Sequence, residues 1–165
     1  MTFCKAMTLL PKPLEFAPGV WKSLMDDLRH RGGGRRESGA FLLAEVERGD
    51  RVVRAWLTYD VLAPKSLAYA YVRLEPDAFS RLWAWCTQNR VEVVADIHTH
   101  PSGPRQSPSD RAHPMVSLRG HVALIVPWFA RRSVQPLDCS FNVYLGDQRW
   151  LSYLRRDAEN LIVTA

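Results

Sequence analysis

A pair of histidines at the end of an apolar segment is the feature that most restricts how this chain can fold. His98 and His100 follow the mostly apolar residues 91–97. Side chains alternate between the two faces of a β-strand, so residues separated by one position point to the same side. If residues 91–97 form a strand, both imidazole rings lie on one face at its end. The pattern therefore predicts a central strand that presents two metal-binding nitrogens.

A carboxylate ten residues further along can complete this pair. Asp110 comes shortly after a loop that is rich in proline and serine, residues 101–108. Such rigid and turn-forming residues limit the entropy that is lost when Asp110 is held beside the histidines. Two imidazoles and one carboxylate leave a fourth tetrahedral position open for water, which is typical of catalytic zinc sites. We therefore expect His98, His100 and Asp110 to bind one Zn²⁺ per chain.

The order His-x-His-Pro, then serine, then aspartate resembles the signature of the JAMM (MPN-plus) metalloprotease family. His98, His100 and Asp110 match the zinc ligands of that family. Ser107 matches the family's serine, which helps to stabilise the oxyanion at the scissile carbonyl. Glu37 precedes an apolar strand that contains glycine, and it matches the glutamate that acts as general base.

Two departures from the family pattern accompany these matches. The interval from His100 to Ser107 is one residue shorter than usual, and Ala40 and Ala44 stand where members usually carry glycine. The resemblance covers residues 16–156 and implies the MPN, cytidine-deaminase-like fold. No repeat or linker divides the chain, so we expect one JAMM/MPN-plus domain over residues 1–165.

The hydrophobic pattern predicts an α/β domain with a mixed, largely antiparallel sheet flanked by helices. Asp96 shares the face of His98 and His100, where it could orient an imidazole or be an ordinary strand-end acid. His113 and His121 are not expected to bind zinc. The predicted strands are residues 14–16, 35–44, 51–60, 68–74, 91–97, 122–126 and 141–145, and the predicted helices are residues 20–29, 75–90 and 108–113, with a terminal amphipathic helix that carries Trp150, Leu151 and Leu154.

Composition and charge favour a globular protein without a nucleic-acid partner. Hydrophobic residues make up 47% of the chain and charged residues 24%. The net charge is +5, but the 18 arginines are dispersed in short groups and form no long basic tract. The cysteines are three in number and far apart, which predicts reduced thiols, and residues 1–13 fit neither a signal peptide nor a membrane span. We therefore expect a cytoplasmic protein.

The resemblance implies a function as well as a fold. Small stand-alone prokaryotic members cleave after the C-terminal tail of ubiquitin or a ubiquitin-like protein, in modifier maturation and deconjugation, and some work in bacterial antiphage conjugation systems. The expected partners are therefore a ubiquitin-like substrate and its conjugates. Processing of sulfur-carrier proteins is an alternative. A RadC-like module associated with nucleic acid and a metal-free MPN scaffold are two further alternatives.

Overall fold

A six-stranded mixed sheet forms the centre of the computed structural model, which describes residues 11–66 and 74–165. Its strands are neighbours in the order β3-β2-β4-β5-β6-β7. Strands β4 and β5 are parallel, and every other neighbouring pair in this sheet is antiparallel. The eight strands are β1 (Leu14–Phe16), β2 (Gly39–Glu45), β3 (Ala55–Thr58), β4 (Val91–Thr99), β5 (Val122–Val126), β6 (Ser140–Gly146), β7 (Arg149–Leu154) and β8 (Ile162–Thr164).

Three strand ends meet at one edge of this sheet. Because β4 and β5 are parallel, their C-terminal ends lie side by side, with Thr99 opposite Val126. Strand β2 runs antiparallel to β4, so its first residue, Gly39, pairs with His98 near the end of β4. We call this the site edge. The segments that precede β2 and follow β4 and β5 are therefore close together, although they are far apart in sequence.

Helices cover both faces of the sheet. Helix α1 (Val20–Gly32) packs Leu24 and Leu28 onto one face, and helix α3 (Pro76–Asn89) packs Leu82 onto the other. Strand β2 lies between the two layers and is buried along almost its whole length. This arrangement confirms the predicted mixed, largely antiparallel sheet flanked by helices. In the described part of the chain, no helix is long and apolar enough to cross a bilayer.

The predicted strand 51–60 is wrong at both ends. Strand β3 spans only Ala55–Thr58, and the next four residues form a short helix, α2 (Tyr59–Leu62). Before β3, the carboxylate of Asp50 accepts a hydrogen bond from the Val52 N–H and forms an ion pair with Arg54, so this segment is a local turn. After β3, the Tyr59 side chain is fully buried against Phe41. The predicted strand 68–74 lies outside the described residues, except for Leu74.

The predicted terminal helix is also wrong. Residues 149–154 form strand β7, which pairs with β6 as a hairpin. The two turn residues, Asp147 and Gln148, have φ values of 52° and 58°, as a two-residue hairpin turn with both central residues left-handed requires. Trp150 packs on Tyr144 across the hairpin, with the ring centroids 4.9 Å apart. A helix, α5 (Arg156–Glu159), begins only after this strand.

Candidate metal centre

Three side chains converge at the site edge, at the end of β4. The Nε2 atoms of His98 and His100 lie 3.0 Å apart. The carboxylate of Asp110 lies 3.4 Å from His98 Nε2 through Oδ1, and 3.2 Å from His100 Nε2 through Oδ2. The three side chains are mostly shielded, since 12%, 8% and 20% of their surfaces are exposed. The structure therefore brings together the three residues that we predicted as zinc ligands.

The spacing of these atoms fits a zinc ion. Zinc binds imidazole nitrogen and carboxylate oxygen at about 2.0–2.2 Å, so the edges of a tetrahedron of ligands around it measure about 3.3–3.5 Å. The separations of 3.0, 3.4 and 3.2 Å are close to this length. Two of these separations run to different oxygens of Asp110, and the three side chains lie close enough for each to offer one atom to a shared ion. A mixed set of two nitrogens and one carboxylate also matches the chemistry that zinc prefers.

A short helix holds Asp110 in this position. Helix α4 (Pro108–Ala112) begins after Ser107, and the two residues form a reciprocal cap. The Ser107 N–H donates to Asp110 Oδ2 at 2.6 Å, and the Asp110 N–H donates to Ser107 Oγ at 3.1 Å. The loop that is one residue shorter than usual therefore still delivers Asp110 to the histidines. Ser107 therefore caps helix α4, and its role toward an oxyanion stays a prediction.

Mutual contact shifts the pKa values within this cluster. Burial alone lowers the pKa of His98, but hydrogen bonding to Asp110 and the charge of that carboxylate outweigh burial and raise it. Burial raises the pKa of Asp110, but hydrogen bonds from His100 and His98 outweigh burial. They hold the pKa of Asp110 far below its usual range. The carboxylate is therefore ionised at neutral pH, as a metal ligand must be.

Glu37 lies in the same cleft as the metal ligands. It lies two residues before β2, which begins at the site edge, and it is half-buried. The cleft is lined by Glu37, His98 and Asp110, together with Gln106, Met115 and Trp150. The negative charge of Glu37 also contributes to the raised pKa of His98. The predicted general base and the predicted ligands thus share one cleft.

A buried polar network beneath the cleft was not predicted. Asp96 Oδ1 lies 2.6 Å from His121 Nε2, and the Tyr59 hydroxyl donates to Asp96 Oδ2 at 3.2 Å. Asp96 is 2% exposed and Tyr59 is fully buried. Burial and the charge of Asp96 raise the pKa of Tyr59 well above its usual value. Of the two open interpretations of Asp96, an orienting acid or an ordinary strand-end acid, neither is met at the zinc-ligand candidates, because its hydrogen-bonding partners among the described residues are His121 and Tyr59.

Trp150 is a cleft residue that sequence reasoning assigned to a terminal helix. Its indole N–H donates to the carbonyl oxygen of Arg111 at 3.1 Å, which ties β7 to helix α4. His113 also lines the cleft, at the end of α4, outside the three-residue cluster. The sequence pattern of residues 149–154 does not indicate that Trp150 lines the cleft, because the position of Trp150 depends on the hairpin turn before β7.

A protein family and several solved structures are similar to this chain. A family model described as prokaryotic homologs of the JAB domain matches residues 19–138. A protein from Desulfitobacterium hafniense aligns with a TM-score of 0.57 at 16% identity, over 92% of this chain and 93% of that chain. A protein from Salinibacter ruber gives 0.54 at 21% identity, over 92% of each chain. A JAB1/MPN domain protein from Archaeoglobus fulgidus aligns at 0.46 and 14% identity, over 93% of this chain and 98% of that chain.

Proposed function

Because this chain belongs to the family of prokaryotic homologs of the JAB domain, we propose that it is a zinc-dependent peptidase or isopeptidase. Its substrate in this proposal is a ubiquitin-like protein, cut after the C-terminal tail. Membership confirms the family that the His-x-His pattern predicted. The observation that carries the proposal is the triangle of His98, His100 and Asp110, which shares its cleft with Glu37.

The chemistry in this proposal needs a metal and a base. Zinc held by the three ligands supplies a Lewis acid that lowers the pKa of water toward about 7 and polarises a carbonyl group. Glu37 accepts a proton from the attacking water and passes it to the leaving amine nitrogen. No side chain forms a covalent bond to the substrate, so the reaction is direct hydrolysis of an amide or isopeptide bond.

Ser107 has the hydrogen-bonding capacity for a second role. Its Oγ accepts a hydrogen bond from the Asp110 N–H at 3.1 Å. A hydroxyl can accept and donate at the same time, so the Ser107 hydrogen stays available for a developing oxyanion. A hydrogen-bond donor of this kind accelerates the reaction when it binds the oxygen on which negative charge develops in the transition state. In this proposal Ser107 therefore both caps helix α4 and stabilises the oxyanion.

The test is cleavage of a ubiquitin-like protein that carries a reporter domain fused after its C-terminal glycine. The wild type loaded with zinc is expected to release the reporter, and a chelator is expected to stop the release. We expect Glu37→Gln to lower kcat by about 10²–10⁴-fold, since it removes the proton acceptor and keeps the shape of the side chain. The matched control is Glu15→Gln, an exposed glutamate on β1, which should cleave at the wild-type rate.

Metal analysis of the same samples separates the parts of this proposal. Wild type and Glu37→Gln are both expected to hold one zinc per chain, because Glu37 is not one of the three ligands. Full activity of Glu37→Gln would exclude Glu37 as the base. Cleavage that survives complete removal of metal would exclude the zinc mechanism. A zinc-loaded protein that cuts none of the ubiquitin-like fusions would exclude the proposed substrate class.

A further inference from the structure

Two aromatic and three arginine side chains lie at the site edge without a role in the proposed chemistry. They are Trp128, Phe129, Arg131, Arg132 and Arg35, which we call the arginine rim. The first four follow strand β5 at its C-terminal end, and Arg35 precedes β2. We propose that this rim docks an acidic surface of the protein modifier, next to the tail that enters the cleft. This inference rests on the function proposed above and names the surface chemistry of its substrate.

The rim is attached directly to the backbone that carries the metal ligands. The Phe129 N–H donates to the carbonyl oxygen of His100 at 2.8 Å, and the Trp128 N–H donates to that of Ser102 at 3.1 Å. The His100 N–H in turn donates to the carbonyl oxygen of Val126 at 2.8 Å. A partner that is held on the rim is therefore held at a fixed position relative to His100.

The backbone of the rim has an unusual conformation. Trp128, Phe129 and Ala130 have φ values of 57°, 51° and 54°. Three successive non-glycine residues in the left-handed region are unfavourable for L-amino acids, and such segments concentrate at functional sites. Trp128 and Phe129 remain half-exposed in this turn. The turn thus leaves aromatic surface in contact with solvent at the site edge.

Guanidinium groups lie against these rings. The Cζ atom of Arg132 is 5.0 Å from the centroid of the Trp128 ring, and that of Arg131 is 6.0 Å from the Phe129 ring. Gly34 lies against the same surface, since a Cβ built on it would be 3.1 Å from Arg131 Cγ. Stacking restricts the motion of the guanidinium groups and so prepares them to bind a planar anion such as a carboxylate.

The charges of the rim are not neutralised within the described residues. Arg35, Arg131 and Arg132 are exposed, and none of them forms an ion pair with a described residue. Other arginines of the molecule do have acidic partners, for example Arg54 with Asp50 and Arg81 with Asp77. The rim therefore has positive charge available for a partner.

The occupant that these features favour is a protein surface with carboxylates. Arginine and tryptophan are enriched among the residues that dominate protein–protein binding energy. A nucleic acid needs an extended basic tract along its backbone, whereas the arginines of this chain occur in short, dispersed groups. A modifier instead places separate Asp or Glu side chains on the rim and a neutral tail in the cleft.

The test compares a whole modifier with its tail. The first substrate is a ubiquitin-fold protein with a Gly-Gly tail, acidic residues beside that tail and a fused reporter. The second is a short peptide that contains the same tail and scissile bond. In Arg131→Glu/Arg132→Glu, the ratio of kcat/KM for the modifier to that for the peptide is expected to fall at least tenfold, mainly through KM. Replacing the modifier's acidic residues with lysine is expected to restore much of this loss.

The matched control is Arg51→Glu/Arg119→Glu, which makes the same charge change at two exposed arginines. Arg119 precedes β5, at the edge of the sheet opposite the site edge. This control should keep the wild-type ratio, and both double variants should keep the wild-type zinc content. Raising the salt concentration should lower kcat/KM of the wild type more than that of the rim variant.

The outcomes separate this inference from the proposed function. If the wild type cuts neither substrate, the proposed function fails. If it cuts both and the rim variant keeps the wild-type ratio, the proposed function stands and the inference is wrong. If the rim variant instead loses binding to a DNA or RNA oligonucleotide and keeps the modifier ratio, the rim is a nucleic-acid surface and the inference is wrong.

Discussion

At the scale of single residues, Gly39 is the glycine with the least space for a side chain. A Cβ atom there would lie 2.3 Å from Tyr59 Cε2 and 2.6 Å from the carbonyl oxygen of Ile97. Ala40 and Ala44, which replace the family's usual glycines, are buried in the core without such a clash. The close approach that a glycine permits therefore occurs at Gly39, two residues after Glu37.

We expect Gly39→Ala to lower the free energy of unfolding by about 1–3 kcal/mol, because an added methyl group forces Tyr59 or β4 to move. Urea unfolding measures the change. Gly103→Ala is the control, since a Cβ at Gly103 has no atom within 4 Å, and it should leave the urea midpoint nearly unchanged. An equal loss in both variants would show that the clash is not the cause.

The buried network beneath the cleft supports a second prediction at this scale. Tyr59→Phe removes the donor to Asp96 Oδ2 and leaves a buried carboxylate oxygen with fewer hydrogen bonds. We expect a loss of about 1–3 kcal/mol in the free energy of unfolding. Tyr153→Phe is the control, because the Tyr153 hydroxyl makes no hydrogen bond to any residue that the structure describes. Equal urea midpoints for wild type and Tyr59→Phe would contradict the prediction.

At the scale of elements, one arginine connects helix α1 to strand β3 and helix α2. Arg31 contacts Asp27 at 2.8 Å and Asp60 at 2.6 Å, and Asp27 also accepts a hydrogen bond from the Trp56 indole. Burial lowers the pKa of Arg31, but these two carboxylates outweigh burial and raise it. The charged group is therefore stabilised where the three elements meet.

We expect Arg31→Met to destabilise the fold by about 1–2 kcal/mol, because two carboxylates then face each other without a cation. Arg29→Met, on the same helix, removes a half-exposed pair with Asp26 and should change stability little. Chemical denaturation of both variants gives the comparison. If the two substitutions lowered the stability equally, the cause would be altered helix packing and not the loss of the ion pairs of Arg31.

The elements that the sequence predicted well are those whose pattern is local. Strand β2 is apolar throughout because it is buried on both faces, and α1 and α3 have one apolar face. The shared face of His98 and His100 could be predicted from the alternation of side chains along a strand. The approach of Asp110 could be predicted from the rigid loop before it. Strand β7 was missed because Trp150, Leu151 and Leu154 also fit helical spacing. Tyr59, Asp96 and His121 come from three elements, so no local pattern connects them.

At the scale of the whole molecule, metal binding and stability are expected to be linked. A ligand that binds only the folded state stabilises it by about 2.7 kcal/mol at a hundred times its Kd. Zinc should therefore raise the Tm of the wild type, and His98→Ala should lose most of this rise. His30→Ala changes an exposed histidine on helix α1 that is not one of the three ligands, so it is the control and should respond to zinc as the wild type does. An equal rise in His98→Ala would contradict the predicted site.

The small sheet of β1 and β8 has a consequence for how the chain folds. Leu14 pairs with Ile162, so this contact joins residues 148 positions apart (162 − 14 = 148). Both residues belong to the core on the α1 face. During synthesis, β1 can bond to the backbone of Val53 early, but it cannot pair with β8 until residues 162–164 have been made. Contacts of such long sequence separation slow folding, and the α1 face stays incomplete until β8 has been made.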